Sequence, residues 1–154
     1  MFSQLLPRQI DNSYRGFKVA LWLFAFVVLV KVVMSVNSIF NGASVASSAD
    51  GIPLDTFTPA GSQAVVSLFG LSAFSRLMIC LLGILVLVRY RAMVPLMFAV
   101  LLLDHLGRRL VLYFLPIPRT AGSPGSAINL VLLGLMILGL GLSLWSPRHR
   151  RTQE

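Results

Sequence analysis

Charge is what this chain has least of. Only 12% of its 154 residues are charged, about half the roughly 25% typical of a soluble domain. Acids are scarcest, five Asp and Glu against thirteen Lys and Arg, giving a formal net charge of +8. Cys80 is the single cysteine, which excludes an intrachain disulfide, a CxxC redox pair and a thiolate metal cluster. The two histidines, His105 and His149, stand far apart, so a zinc or haem site with several such ligands has no basis. No second carboxylate, nucleophile–base pair or phosphate-cradling glycine loop accompanies His105. No catalytic residue, metal ligand or cofactor is therefore assigned, and an enzyme is the least favoured reading.

What the chain has is apolar length. Hydrophobic residues make up 56% of it and the mean hydropathy is +0.84. Its basic residues sit at the ends of apolar runs or inside them, which fits membrane orientation and argues against a nucleic-acid partner. Four runs stand out, at about 14–40, 59–88, 94–115 and 126–145. Each has the ~20 residues needed to cross a ~30 Å hydrocarbon core, where helices satisfy their own backbone groups. Asp11, Asn12 or Ser13 can cap the first, and Thr58-Pro59 and Pro95 open the second and third. Pro116-Ile117-Pro118 stops the third and Ser146-Pro147 the fourth. The expected fold is all-α, an integral membrane four-helix bundle over residues 14–146. An interfacial arm, 1–13, precedes it and a basic tail, 147–154, follows.

Arg8, Arg15 and Lys18, then Arg89 and Arg91, then Arg148, Arg150 and Arg151 fall on one side of these spans, against Arg119 on the other. The positive-inside rule puts that basic side, with both termini, in the cytoplasm. Trp22 and Trp145, near cytoplasmic helix ends, read as interfacial anchors. The first run exceeds the h-region of a signal peptide and contains Lys31, so a retained anchor is expected. The segment 41–57 reads as a plain connector in which Asp50 and Asp55 stay wet and Leu54 and Phe57 touch the interface.

The charges inside the spans are the candidate functional residues: Lys31, Arg76, Asp104, His105, Arg108 and Arg109. Such residues are expensive in lipid and face a protein interior or a watery cavity. Counted from the cytoplasmic ends, Lys31 lies ~20–25 Å deep, Arg76 ~18–20 Å, Asp104 and His105 ~14–16 Å, and Arg108 and Arg109 ~20–22 Å. Three antiparallel helices thus bring charge to a similar level. Asp104–Arg108 and His105–Arg109 are i,i+4 pairs, each stacked on one helix face. Four basic side chains against one acid leave an excess of positive charge. Water, loss of a lysine proton, or an anionic lipid, ligand or partner must compensate it. A plain structural network, with Lys31 and Arg109 snorkelling outward, is the competing expectation.

In the fourth run Ala127, Gly134 and Gly141 recur every seven residues. Small residues on one stripe let helix backbones approach closely in lipid. Packing inside the bundle is the first reading of this seam, and contact with another subunit the second.

Val27-Val28-Leu29-Val30-Lys31 behind a basic amino terminus, a long outer loop, and the hairpin from Leu82 through Arg89-Tyr90-Arg91 resemble the DoxX-like group of small bacterial four-helix membrane proteins. Arg76 stands in the second helix, where members often carry an acid. The resemblance implies the bacterial inner membrane and a quinone or redox partner.

Two functions compete. The first is a noncatalytic accessory or assembly subunit of a larger inner-membrane complex, possessing no soluble recognition domain and docking to other membrane subunits. The second is a binding or transport module whose cationic layer holds an anionic lipid, a quinone or a small anion.

Overall fold

The computed structural model describes residues 12, 14, 16–117, 119 and 124–145. Apart from Asn12, the expected arm 1–13 lies outside the described residues, as does the tail 147–154. Four long helices follow one another: α1 (Lys18–Phe40), α2 (Pro59–Arg89), α3 (Val94–Phe114) and α4 (Pro124–Leu144). No strand occurs among the described residues.

Local chemistry accounts for most of the boundaries. Thr58 caps α2, its Oγ1 accepting from the Gly61 N–H at 3.2 Å, and Pro59 follows where a missing N–H costs nothing. Pro95 plays the same part in the first turn of α3. The start of α1 differs from the expectation of Tyr14, because the helix begins at Lys18 with Phe17 at the cap position and no side-chain cap. Tyr14 is used elsewhere. Its hydroxyl donates to Ser143 Oγ at 2.9 Å, and Gly16 packs against the Ser143 carbonyl, so this segment lies across the end of α4.

The helices run up and down. Gly42 lies against Val66, and Gly83 against Val28 and Phe24, which makes α1 and α2 antiparallel. Gly139 lies against Phe98 and Leu23, and Gly125 against Ala49, which fixes the direction of α4. One end of the bundle therefore carries Lys18, Arg89, Arg91 and Trp145, and the other carries residues 41–57, 115–117 and 119. They are called here the basic end and the loop end. α1 packs most extensively on α2, and α4 bridges α1 and α3.

An apolar core occupies the basic half. Phe24, Val27 and Val28 of α1 meet Cys80 and Val86 of α2, Val94, Met97, Phe98 and Leu101 of α3, and Met136 of α4. Phe24 and Phe98 meet edge to face with centroids 4.9 Å apart, a favoured aromatic geometry. Gly139 makes this closeness possible, since a Cβ there would collide with the Phe98 ring and Leu23.

The outer surface is apolar as well. Leu29, Val33, Leu68, Leu71, Leu103, Leu110 and Val131 all face outward, and Trp22 and Trp145 are exposed toward the basic end. Helices hydrophobic on every side belong in a large core or in lipid. α1, α2 and α4 are each long and apolar enough to cross a membrane. α3 has 21 residues, but Asp104, Arg108 and Arg109 interrupt its apolar run.

The segment 41–57 is not a plain connector. A helical turn at Gly42–Ser44, a π-helical turn at Val45–Ala49 and a 3-10 turn at Leu54–Thr56 fold it into a cap. Ala46 and Ile52 are buried, and the Ile52 N–H bonds the Ala46 carbonyl at 2.9 Å. Gly51 makes the reversal with φ 68°, a left-handed value that glycine adopts without steric cost.

Candidate functional site

Polar side chains replace the apolar core in the loop-end half of the bundle. On α1, Lys31, Ser35 and Ser38 are buried at i, i+4 and i+7, so one stripe of the helix turns polar just past Val27 and Val28. On α2, Ser72 and Arg76 share a face one turn apart, and on α3 Asp104, His105 and Arg108 project into the same region. Lys31, Arg76, Asp104 and Arg108 lie within electrostatic reach of one another. His105 is within reach of Lys31, Arg109, Asp104 and Arg76. Three helices thus contribute to one cluster.

Arg108 is its best-satisfied member. Its Nε donates to Asp104 Oδ1 at 3.0 Å, Nη1 to Ser72 Oγ at 2.7 Å and Nη2 to the Ser72 carbonyl at 3.4 Å. The first bond is an i,i+4 ion pair within α3, and the other two tie α3 to α2. A planar guanidinium suits such a fork, which a lysine ammonium cannot reproduce.

Lys31 is the opposite case. Only 4% of it is exposed, so it does not snorkel outward as one sequence reading had it. It forms no ion pair with any described residue, because the ion pair among them is Arg108–Asp104. Near it, Ser35 Oγ and His105 Nε2 are buried without a hydrogen-bond partner among the described residues. Arg109 does point outward. It lies one turn beyond His105 on the same face of α3, exposed but still within electrostatic reach of that histidine.

Asp50 also belongs to the cluster, although its loop sequence suggests a solvated acid. The folded cap places its carboxylate beside the first turn of α4, where a Cβ on Gly125 would stand 2.9 Å from Asp50 Oδ1. That position is favourable for an acid, since the helix N-terminus carries partial positive charge. Asp50 is also within electrostatic reach of Arg76. The interior balance is therefore Lys31, Arg76 and Arg108 against Asp104 and Asp50, leaving one positive charge unmatched. Ser72 and Ser35 were also missed, although each sits one turn from a charged residue that had been singled out.

The seam on α4 needs a correction. Ala127, Gly134 and Gly141 are all exposed, and nothing lies within 4 Å of where a Cβ on Gly134 or Gly141 would stand. Packing inside the bundle uses a different stripe, Leu132, Met136, Gly139 and Ser143. The reason is geometric. Seven-residue spacing keeps three small residues on one face, but the partners of α4 lie opposite it.

Among the described residues, no group of His, Cys, Asp and Glu has the arrangement of a metal site. No protein-family model, curated protein or solved structure matches the chain. The DoxX-like resemblance rests on the residues that suggested it.

Proposed function

We propose that the protein spans a bacterial inner membrane four times, with both termini in the cytoplasm, and serves as a noncatalytic accessory or assembly subunit of a larger membrane complex. α3 is its fourth span, with Asp104 and Arg108 paired and turned toward α2. The basic end, with Lys18, Arg89 and Arg91, is the cytoplasmic one.

One observation carries the docking role. Ala127, Gly134 and Gly141 form an outward stripe that the bundle itself does not use. In lipid, where apolar surface alone gives no incentive to associate, such a stripe lets a partner helix approach α4 closely.

The test is co-purification in a mild detergent, comparing the wild type with the double variant Gly134→Leu/Gly141→Leu. The expected result is a stable complex for the wild type and a free, folded protein of unchanged thermal stability for the variant. Recovery of the wild type only as a free monomer, or a complex indifferent to both substitutions, contradicts the proposal.

A further inference from the structure

We infer that Lys31, Ser35 and His105 form a binding site for one small monovalent anion, of the size and chemistry of chloride. This does not rest on the docking role of α4, since the residues are interior to α1 and α3.

The first ground is burial without partners. Lys31, Ser35 and His105 are 4%, 0% and 7% exposed. Among the described residues, Ser35 Oγ and His105 Nε2 have no hydrogen-bond partner and Lys31 has no ion pair. Buried polar groups are normally satisfied, and each exception calls for a missing partner. Two such atoms beside a lysine without an ion pair call for a shared one.

The second ground is donor chemistry. An ammonium has three N–H donors and no acceptor, a serine hydroxyl can donate, and imidazole Nε2 donates when it carries the ring proton. The partner that satisfies all three at once is an acceptor. Lys31 and Ser35 stand one turn apart on the same buried stripe of α1, and His105 on α3 lies within electrostatic reach of Lys31.

The third ground is charge. The neighbouring acids are already engaged. Asp104 holds Arg108, and Asp50 lies at the first turn of α4 within reach of Arg76. One positive charge remains over, and Lys31 is the cation farthest from solvent. A single negative charge closes the balance, whereas a water molecule would satisfy hydrogen bonds and leave it open.

The surroundings set the size. Toward the basic end the site is floored by the fully buried Val27 and Leu101, with Val28 beside them. Toward the loop end the folded cap, with Ala46 and Ile52 buried, packs on α1 and α4. A phospholipid headgroup would have to displace this cap, but a halide would not.

The experiment uses the full-length protein purified in an uncharged detergent. Thermal unfolding is followed while chloride, and separately bromide, replaces gluconate at constant ionic strength. The expected result is a saturable rise in Tm with either halide, as for any ligand that binds only the folded state. Lys31→Met and Ser35→Ala should each raise the half-saturating halide concentration by about tenfold or more, the loss of one charge-assisted hydrogen bond. Ser35→Ala removes one atom and guards against a lysine variant that fails to fold. Bromide-soaked crystals should show an anomalous peak beside Lys31 Nζ. Equal Tm in gluconate and halide, a halide response unchanged in both variants, or a bromide peak elsewhere overturns the inference. A saturable response to a short-chain anionic phospholipid but not to halide also overturns it and identifies a lipid headgroup instead.

Discussion

Arg108 of α3 holds Ser72 of α2 by two hydrogen bonds, Nη1 to Oγ at 2.7 Å and Nη2 to the carbonyl at 3.4 Å, while its Nε remains on Asp104. A charge pair that could have been closed within one helix is thereby turned into a clamp between two. Arg108 is thus a fixed element of the bundle, and the uncommitted polar groups lie with Lys31 across from it.

The clamp has a graded signature. Ser72→Ala should cost about 0.5–2 kcal/mol, the range for interhelical hydrogen bonds in membranes. Arg108→Met should cost more, because it also leaves the Asp104 carboxylate without its cation. Arg108→Met/Asp104→Asn should recover part of that loss. Reversible unfolding in mixed micelles measures all three, and a double variant no better than Arg108→Met alone would show that the pair does not act as a unit.

Gly139 and Gly134 are two glycines on one helix with opposite surroundings. Gly139→Leu should destabilise the bundle by about 1–3 kcal/mol or more, because the Phe98 ring and Leu23 occupy the space. Gly134→Leu should leave stability within about 0.5 kcal/mol of the wild type, as at other exposed positions. Thermal unfolding of the two purified variants checks this, and equal losses would contradict the packing of α4.

How much of this is legible in the sequence follows from how local each cause is. Thr58-Pro59 and Pro95 set helix starts through their own backbone chemistry, and the Asp104–Arg108 spacing announces its pairing without any tertiary knowledge. Ser72 gave no such signal, since a serine in an apolar helix often bonds its own backbone, as Ser75 does to the Leu71 carbonyl at 3.1 Å. Asp50 was hidden because its position depends on a reversal at Gly51 and a buried Ile52, neither of which has a periodic pattern. The small-residue stripe of α4 was visible, but its direction was not, because periodicity identifies a face without saying what lies against it.

Tyr14 ties the amino-terminal segment to α4 through Ser143. Burial raises its hydroxyl above the ordinary tyrosine pKa, partly offset by the bond to Ser143. The folded state therefore favours the neutral phenol. The resulting stabilisation is complete below about pH 10 and fades as pH rises through and beyond it. Tyr14→Phe should cost about 0.5–1.5 kcal/mol at neutral pH and should weaken the decline in stability above pH 10. An identical alkaline profile for both proteins would show that Tyr14 does not contribute to it.

Asp50→Asn should loosen the cap without unfolding the bundle. The carboxylate lies at the first turn of α4 and within reach of Arg76, so its neutralisation should cost roughly 0.3–2 kcal/mol. Hydrogen exchange should rise at the Asp50 and Ile52 amides, which bond Val45 and Ala46, while the amides around Phe98 keep their protection. Uniform deprotection of both regions would mean that the cap and the core open as one unit.

If α3 crosses the membrane with Asp104 and Arg108 turned inward, residues 91 and 119 lie on opposite sides of it. In a Cys80→Ala background, Arg91→Cys and Arg119→Cys are each challenged in sealed vesicles of known orientation with a membrane-impermeant thiol reagent. Residue 91 should be labelled only from the cytoplasmic side and residue 119 only from the opposite side. Labelling of both from the same side would contradict it.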